Sequence, residues 1–146
     1  MSERNKQVVL QFIAAMSDGD SDAAAPCLDP EAFTHARGFG KFAGIRHYDT
    51  IVGTIAALKI LVPTGLRPTI HSLTAEDDRV VAEFEGDGVT CDGQAYCNQY
   101  CMVFTMRDGR IRQVNEYFCT ILADRVLWPL VEQMADRIPA SAGDGR

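Results

Sequence analysis

Positive charge is scarce in this sequence. Fourteen lysines and arginines stand against 20 aspartates and glutamates, for a net charge of −6, and nowhere do the basic residues gather into a stripe. A nucleic-acid backbone is gripped by such a stripe, so a nucleic-acid partner is excluded. Long apolar runs are absent too: none approaches the roughly 20 residues of a membrane span. Residues 1–20 lack a basic start followed by an apolar core, so no membrane association is expected and the expected location is cytoplasmic. The three histidines have no short ligand spacing, and none of the five cysteines, Cys27, Cys91, Cys97, Cys101 and Cys119, forms a C-x-x-C pair. Neither a metal site nor a disulfide framework is expected. Residues 38–44, GFGKFAG, lack the strand–turn–helix setting of a dinucleotide fingerprint and read as an aromatic-bearing loop near a pocket mouth. No cofactor is expected.

What is present is an ordinary globular composition, 47% hydrophobic and 23% charged over 146 residues, enough for one domain with a real core. Residues 3–17 carry Val9, Phe12, Ile13 and Met16 at helical spacing. Asp18-Gly19-Asp20 ends that helix, and Asp20-Ser21-Asp22 caps a short second one reaching Cys27 or Leu28. A short strand follows, Glu31 to Ala36, then the glycine-spaced loop. A third helix is expected over 45–62, with Tyr48, Ile51, Val52, Ile55 and Leu58 on one side and Pro63 as its stop. Strands are expected at 69–75 and 79–89, with a turn at Asp77-Asp78. Ile121–Asp136 reads as helical and bent at Pro129. The domain is expected to span residues 1–138, with a polar tail at 139–146. Helices segregated from strands make the fold α+β. A curved antiparallel sheet wrapped around three N-terminal helices would form a cone with an interior pocket.

Gln94 to Thr120 reads as the organising hairpin, turning at Arg107-Asp108-Gly109-Arg110. Tyr96, Asn98, Tyr100, Met102 and Phe104 share one face by period-2 alternation. Aromatic bulk mixed with polar heads marks a pocket wall. The facing set on the second strand depends on the loop. A two-residue loop pairs Arg107 with Arg110 and sets Tyr100 opposite Tyr117. A three-residue loop pairs Met106 with Arg110 and sets Tyr100 opposite Glu116. Cys97, Cys101, Val103 and Thr105 make the opposite face small and fairly apolar, and a homodimer through that face is expected. Leu127, Trp128, Pro129 and Leu130 form an apolar cluster that would close the open end of the cone or meet a partner.

Over about residues 5–128 the chain resembles the nuclear-transport-factor-like superfamily with its cystatin-like cone, and within it the SnoaL-like group of polyketide cyclases. The carriers are Ser17-Asp18-Gly19-Asp20, Leu28-Asp29-Pro30, Tyr96-x-Asn98-x-Tyr100, Asp108-Gly109-Arg110-Ile111 and Asn115-Glu116-Tyr117-Phe118. Ketosteroid isomerases of this superfamily imply a base at His35, but their oxyanion donors fall on Phe12 and near Cys101. Limonene epoxide hydrolases imply acids at Glu116 and Glu85 with a bridging arginine where Glu83 stands, and this likeness selects the three-residue loop. SnoaL-type cyclases imply a base just after the Glu-Tyr of the last strand, where Cys119 stands.

Read alone, Val80, Ala82 and Phe84 look buried and put Glu83 and Glu85 outside; read through the resemblance, the glutamates turn inward. The expected site therefore has Glu116 as principal acid or base, His35 as its partner and Glu83 or Glu85 as a second carboxylate. Tyr96, Asn98, Tyr100 and Tyr48 would orient substrate oxygens, and Phe12, Met102, Val114 and Phe118 would supply apolar walls. The expected ligand is small, apolar and oxygenated, handled by cofactor-free acid–base chemistry. A carrier with the same pocket is the alternative.

Overall fold

A computed structural model describes residues 2–135; residues 136–138 of the expected domain, and the expected tail at 139–146, lie outside the described residues. Helices α1 (Ser2–Ser17) and α2 (Ser21–Ala24) precede β1 (Leu28–Ala36) and β2 (Gly44–His47). Then come α3 (Tyr48–Leu61), β3 (Thr69–Glu76), β4 (Arg79–Val89), β5 (Ala95–Arg107) and β6 (Arg110–Phe118), followed by α4 (Thr120–Val126) and α5 (Trp128–Gln133). The architecture is α+β, one curved and unclosed sheet in the order β2-β1-β6-β5-β4-β3 packed on helices. No helix among the described residues is long and apolar enough to cross a membrane.

Local chemistry explains most of the elements. The Asp20 carboxylate accepts from the Ala23 amide at 3.1 Å, capping α2 as its position predicts. Pro129 sits in the first turn of α5, where its missing N–H costs nothing, so the expected bend becomes a break between two helices. The expected helix at 45–62 is shorter at its start: Gly44–His47 is a strand, and the helix begins at Tyr48. β2 pairs antiparallel with β1, setting Arg46 opposite Thr34. Nor is the sheet antiparallel throughout, because β1 runs parallel to β6 with Ala36 beside Glu116.

The hairpin register is neither of the two expected. Asp108 and Gly109 both take positive φ, 53° and 77°, the left-handed pair that a two-residue turn requires. Arg107 accordingly pairs with Arg110 and Met106 with Ile111, but Thr105 then pairs with Gln113. Arg112 is a bulged residue, and one extra residue flips the face of everything beyond it. Tyr100 lies opposite Phe118. The bulge turns Val114, Glu116 and Phe118 to the same side as Tyr100, Met102 and Phe104, the inward set of the three-residue loop reached by another route.

β1 bends at the same place, its register to β6 slipping between Leu28 and Phe33. Arg107 pins that bend, its Nη2 and Nε lying 2.9 and 3.1 Å from the Asp29 carboxylate and Nη2 2.6 Å from Glu31. Arg112 donates to the Glu31 carbonyl at 2.7 Å and lies over the Phe33 ring. The Glu31 amide and Arg107 hold the Asp29 carboxyl below its ordinary value. The folded state thus binds this proton less tightly, and its share of stability, present above the ordinary aspartate range, is lost as pH falls through the depressed value. Asp29→Asn should lower the melting temperature at neutral pH and shrink that difference in acid. An equal deficit from pH 7 to pH 3 would contradict the assignment.

The inner sheet face (Val80, Ala82, Phe84, Met102, Phe104, Ile111 and Val114) meets Val9, Phe12 and Ile13 of α1 and Ile51 and Ile55 of α3. A second cluster joins Leu61, Val62, Leu66 and Tyr96 to Val126, Leu127 and Leu130. Of the apolar stretch at 127–130, Leu127 and Leu130 therefore pack inward, while Trp128 is half-buried and Pro129 exposed.

Candidate active site

Where the two clusters meet, the helices and sheet do not touch, and a cavity of about 160 Å³ remains. Phe12, Ile55, Leu61, Met102, Phe118 and Leu127 give it an apolar wall, and its polar lining groups are Thr34, Arg46, Thr54, Tyr96, Tyr100 and Glu116. Glu116 is the one carboxylate among the described lining residues. It is half-buried by surface because it opens onto the cavity, yet protein atoms surround it.

That setting decides its acidity. Desolvation pushes the Glu116 carboxyl up from its ordinary value, while the nearby Arg46 guanidinium and a hydrogen bond with the Thr34 hydroxyl oppose the shift without cancelling it. Thr34 and Arg46 face each other across the β1–β2 pair, and β1 lies directly on β6, so sheet register brings all three together. Arg46 is 6% exposed and donates from Nη2 to the Phe42 carbonyl at 3.0 Å.

Next to the carboxylate is a phenol chain. Asn98 donates to the Tyr96 hydroxyl at 2.9 Å and to the Cys119 carbonyl at 3.1 Å, and its Oδ1 accepts from the Cys119 and Gln99 amides. All its hydrogen-bonding capacity goes into fixing Tyr96 and the end of β6. Tyr96 also pairs with the Tyr100 hydroxyl. Burial raises both phenols, Tyr100 well above its ordinary value, with charge on Tyr96 and Glu116 adding to the effect. Tyr100 is held in plane by stacking on Phe84, with ring centroids 5.0 Å apart.

Of the residues expected at the site, Glu116, Tyr96, Tyr100, Phe12, Met102 and Phe118 line the cavity. Asn98 stands behind Tyr96, and Val114, 1% exposed, belongs to the core beneath. Tyr48 packs half-buried on the first core cluster and does not line the cavity. Three further expectations are corrected. Glu83 and Glu85 point away from the cavity, since Ala82, Phe84 and Gly86 take the inner positions of β4. Glu83 accepts from Ser72 at 2.7 Å, and Glu85 lies 3.6 Å from His71. His35 also faces outward, because Thr34 and Ala36 are the inward residues of β1. Thr34 and Arg46 were missed. The available signal was Gly44 before Ile-Arg-His, a strand start easily merged with the helix that follows. Among the described residues no cluster of His, Cys, Asp or Glu could hold a metal ion.

A family profile for the SnoaL-like domain matches residues 9–114. The chain belongs to the SnoaL-like family. Solved structures agree on the fold. An NTF2-like protein from Burkholderia xenovorans LB400 is 19% identical, with a TM-score of 0.71 and coverage of 86% of this chain and 97% of that one. An LEH-like epoxide hydrolase from M. tuberculosis is 20% identical, with a TM-score of 0.70 and coverage of 92% and 98%. TerC, co-crystallised with polyporic acid, is 20% identical, with a TM-score of 0.71 and coverage of 84% and 97%. No curated protein matches the sequence. At these identities the likeness speaks for the fold of this SnoaL-like protein, and its chemistry has to come from its own cavity.

Proposed function

We propose that this SnoaL-like protein is a cofactor-free enzyme that moves a proton on a small, ring-sized, largely apolar molecule carrying one or two oxygens. The observation that carries the reading is Glu116: a lone cavity carboxylate whose proton affinity is raised by burial. A base with a raised pKa is better matched to a weakly acidic C–H at neutral pH than a solvated glutamate is. Thr34 and Arg46 orient it and stabilise its charged form. Tyr96 and Tyr100 face the same space and would hold the substrate's oxygen as negative charge develops there.

The placement of the acids favours one reaction type. Opening an epoxide with two acids needs a second carboxyl near Glu116, and Glu83 and Glu85 lie on the far side of the sheet. Removal of a proton beside a carbonyl and its return elsewhere, as in an isomerase or cyclase, needs a single shuttle. Size restricts the substrate further. A cavity of about 160 Å³ resembles the roughly 150 Å³ engineered cavity that accepts benzene, so one ring fits. Arg46 is the one cationic side chain among the described lining residues, and its charge already acts on Glu116, which disfavours phosphorylated ligands. A thermal-shift screen should therefore show stabilisation by monocyclic enones and phenols, and turnover should be sought first among cyclic enones, with epoxides as the contrasting class. Stabilisation by sugar phosphates or nucleotides alone would refute this. A carrier is the second reading, favoured by the largely apolar wall; ligand binding without turnover across the panel would select it.

We also propose a homodimer through the outer sheet face. Tyr117 and Ile45, 46% and 42% exposed, lie on that face with Cys97, Cys101 and Val103, more apolar surface than a sheet usually leaves in water. Sedimentation at micromolar concentration should show twice the 16.0 kDa chain mass. A single monomeric species, or rapid labelling of Cys101 by a bulky thiol reagent, would count against it.

A further inference from the structure

The loop between β1 and β2 takes no part in the chemistry above, yet it carries one cavity residue, Phe42. The ring of Phe42 meets Trp128 edge-on, centroids 5.4 Å apart and planes at 84°. Trp128 itself does not line the cavity, so Phe42 stands between the cavity and the indole. Two glycines bracket the loop in left-handed backbone, Gly38 at φ 92° and Gly44 at φ 131°. Few side chains tolerate those angles, and glycine turns freely about them. Between them the loop is tied down at two points. The Lys41 amide donates to the Asp124 carboxylate of α4, at 2.9 and 3.2 Å from its two oxygens. The Phe42 carbonyl accepts from Arg46. At the tip Phe39 is fully exposed, at 104%.

We propose that Phe42 is the gate of the cavity, carried by a glycine-bracketed loop latched to α4 through Asp124, and that it holds the accepted ligand to one ring. The inference rests on the cavity being the ligand site, and it goes further by naming the residue that sets ligand size. Closed, Phe42 forms one wall and Trp128 backs it. Swung out about Gly38 and Gly44, the loop uncovers the way in. Because Arg46 holds both the Phe42 carbonyl and the neighbourhood of Glu116, closure and the arrangement of the acid are coupled through one side chain.

The latch is tested without any ligand. Trp128 is the only tryptophan, so its fluorescence reports the loop directly. Asp124→Ala should red-shift Trp128 emission and raise its quenching by acrylamide, whereas Asp22→Ala, on the remote α2, should do neither. Unchanged quenching in Asp124→Ala overturns the latch. The size limit is tested by calorimetric binding of 4-methylphenol and 2-naphthol to wild type and Phe42→Ala, with Phe42→Leu in reserve should the alanine variant fold poorly. The preference should move toward 2-naphthol by at least about tenfold, the lower end of what one misplaced methylene costs in an apolar pocket. An unmoved ratio overturns the gate. Binding of neither probe to either protein removes the cavity as a ligand site and the gate with it. Loss of turnover in Glu116→Gln is independent of both readouts, so failure of the gate and failure of the catalytic reading are separable.

Discussion

Glu116→Gln should lower turnover by about 10²–10⁴-fold with ligand affinity little changed, because general acid–base catalysis is worth about that much. Glutamine keeps the length and can still accept from Thr34, but it cannot take or return a proton. The loss corresponds to about 3–5 kcal/mol of transition-state stabilisation. The same substitution carries a stability signature with the opposite sign. Above the ordinary glutamate value of 4.5 the unfolded chain ionises at this position, while the folded protein retains the proton to higher pH. The folded state therefore binds that proton more tightly, and wild-type stability falls as pH rises through that window. Glutamine has nothing to ionise, so the variant should melt higher than wild type at pH 8 and differ least at pH 4. Stability gained as turnover is lost would be the mark of a carboxyl kept buried, at a cost in stability, for the proposed proton transfer. Full activity in Glu116→Gln on any substrate found would remove it from the mechanism.

The largest purely structural effect should come from Phe104→Ala. Phe104 is 0% exposed, lies between Val80 of β4 and Val114 of β6 in the ladder, and meets Phe12 of α1 edge-on at 6.2 Å. With Met102 and Met106 it packs β5 against the helix layer. Truncating such a ring loses its transfer energy and leaves a cavity, about 3–5 kcal/mol together, a large part of the roughly 5–15 kcal/mol of a whole domain. Urea unfolding should show a midpoint lowered to match. A loss under about 1.5 kcal/mol, the scale of a volume-conserving core swap, would mean that the strand–helix contact is looser than described.

The fold was largely legible because its signals are periodic. On β4 the alternation of Val80, Ala82 and Phe84 put Glu83 and Glu85 outside, and the structure agrees with that pattern and not with the superfamily template that turned them inward. Glu116 was harder, since its face depends on counting residues from the turn, and a bulge at Arg112 has no signature in an otherwise alternating strand. His35 was misassigned for a different reason. The strand around it alternates among small residues, Ala32, Thr34 and Ala36, so neither face announced itself as buried. Arg46 was lost because a four-residue strand running straight into a helix shows no period of its own. The site was thus readable where it hangs on one long hairpin, and hidden where it depends on a register between distant segments.

That distant register bears on how the protein comes into being. The strand carrying Thr34 finds its parallel partner some 80 positions later, in the segment that ends at Phe118. Contacts so remote along the chain form slowly, since a long loop must close before any of them is rewarded. A growing chain can assemble the hairpins of β3 to β6 as they emerge, but it has no finished cavity until β6 docks on β1. The cavity is therefore complete only once β6 has been made and docked, and unfolding that begins by releasing β1 would extinguish it while most of the sheet still stands.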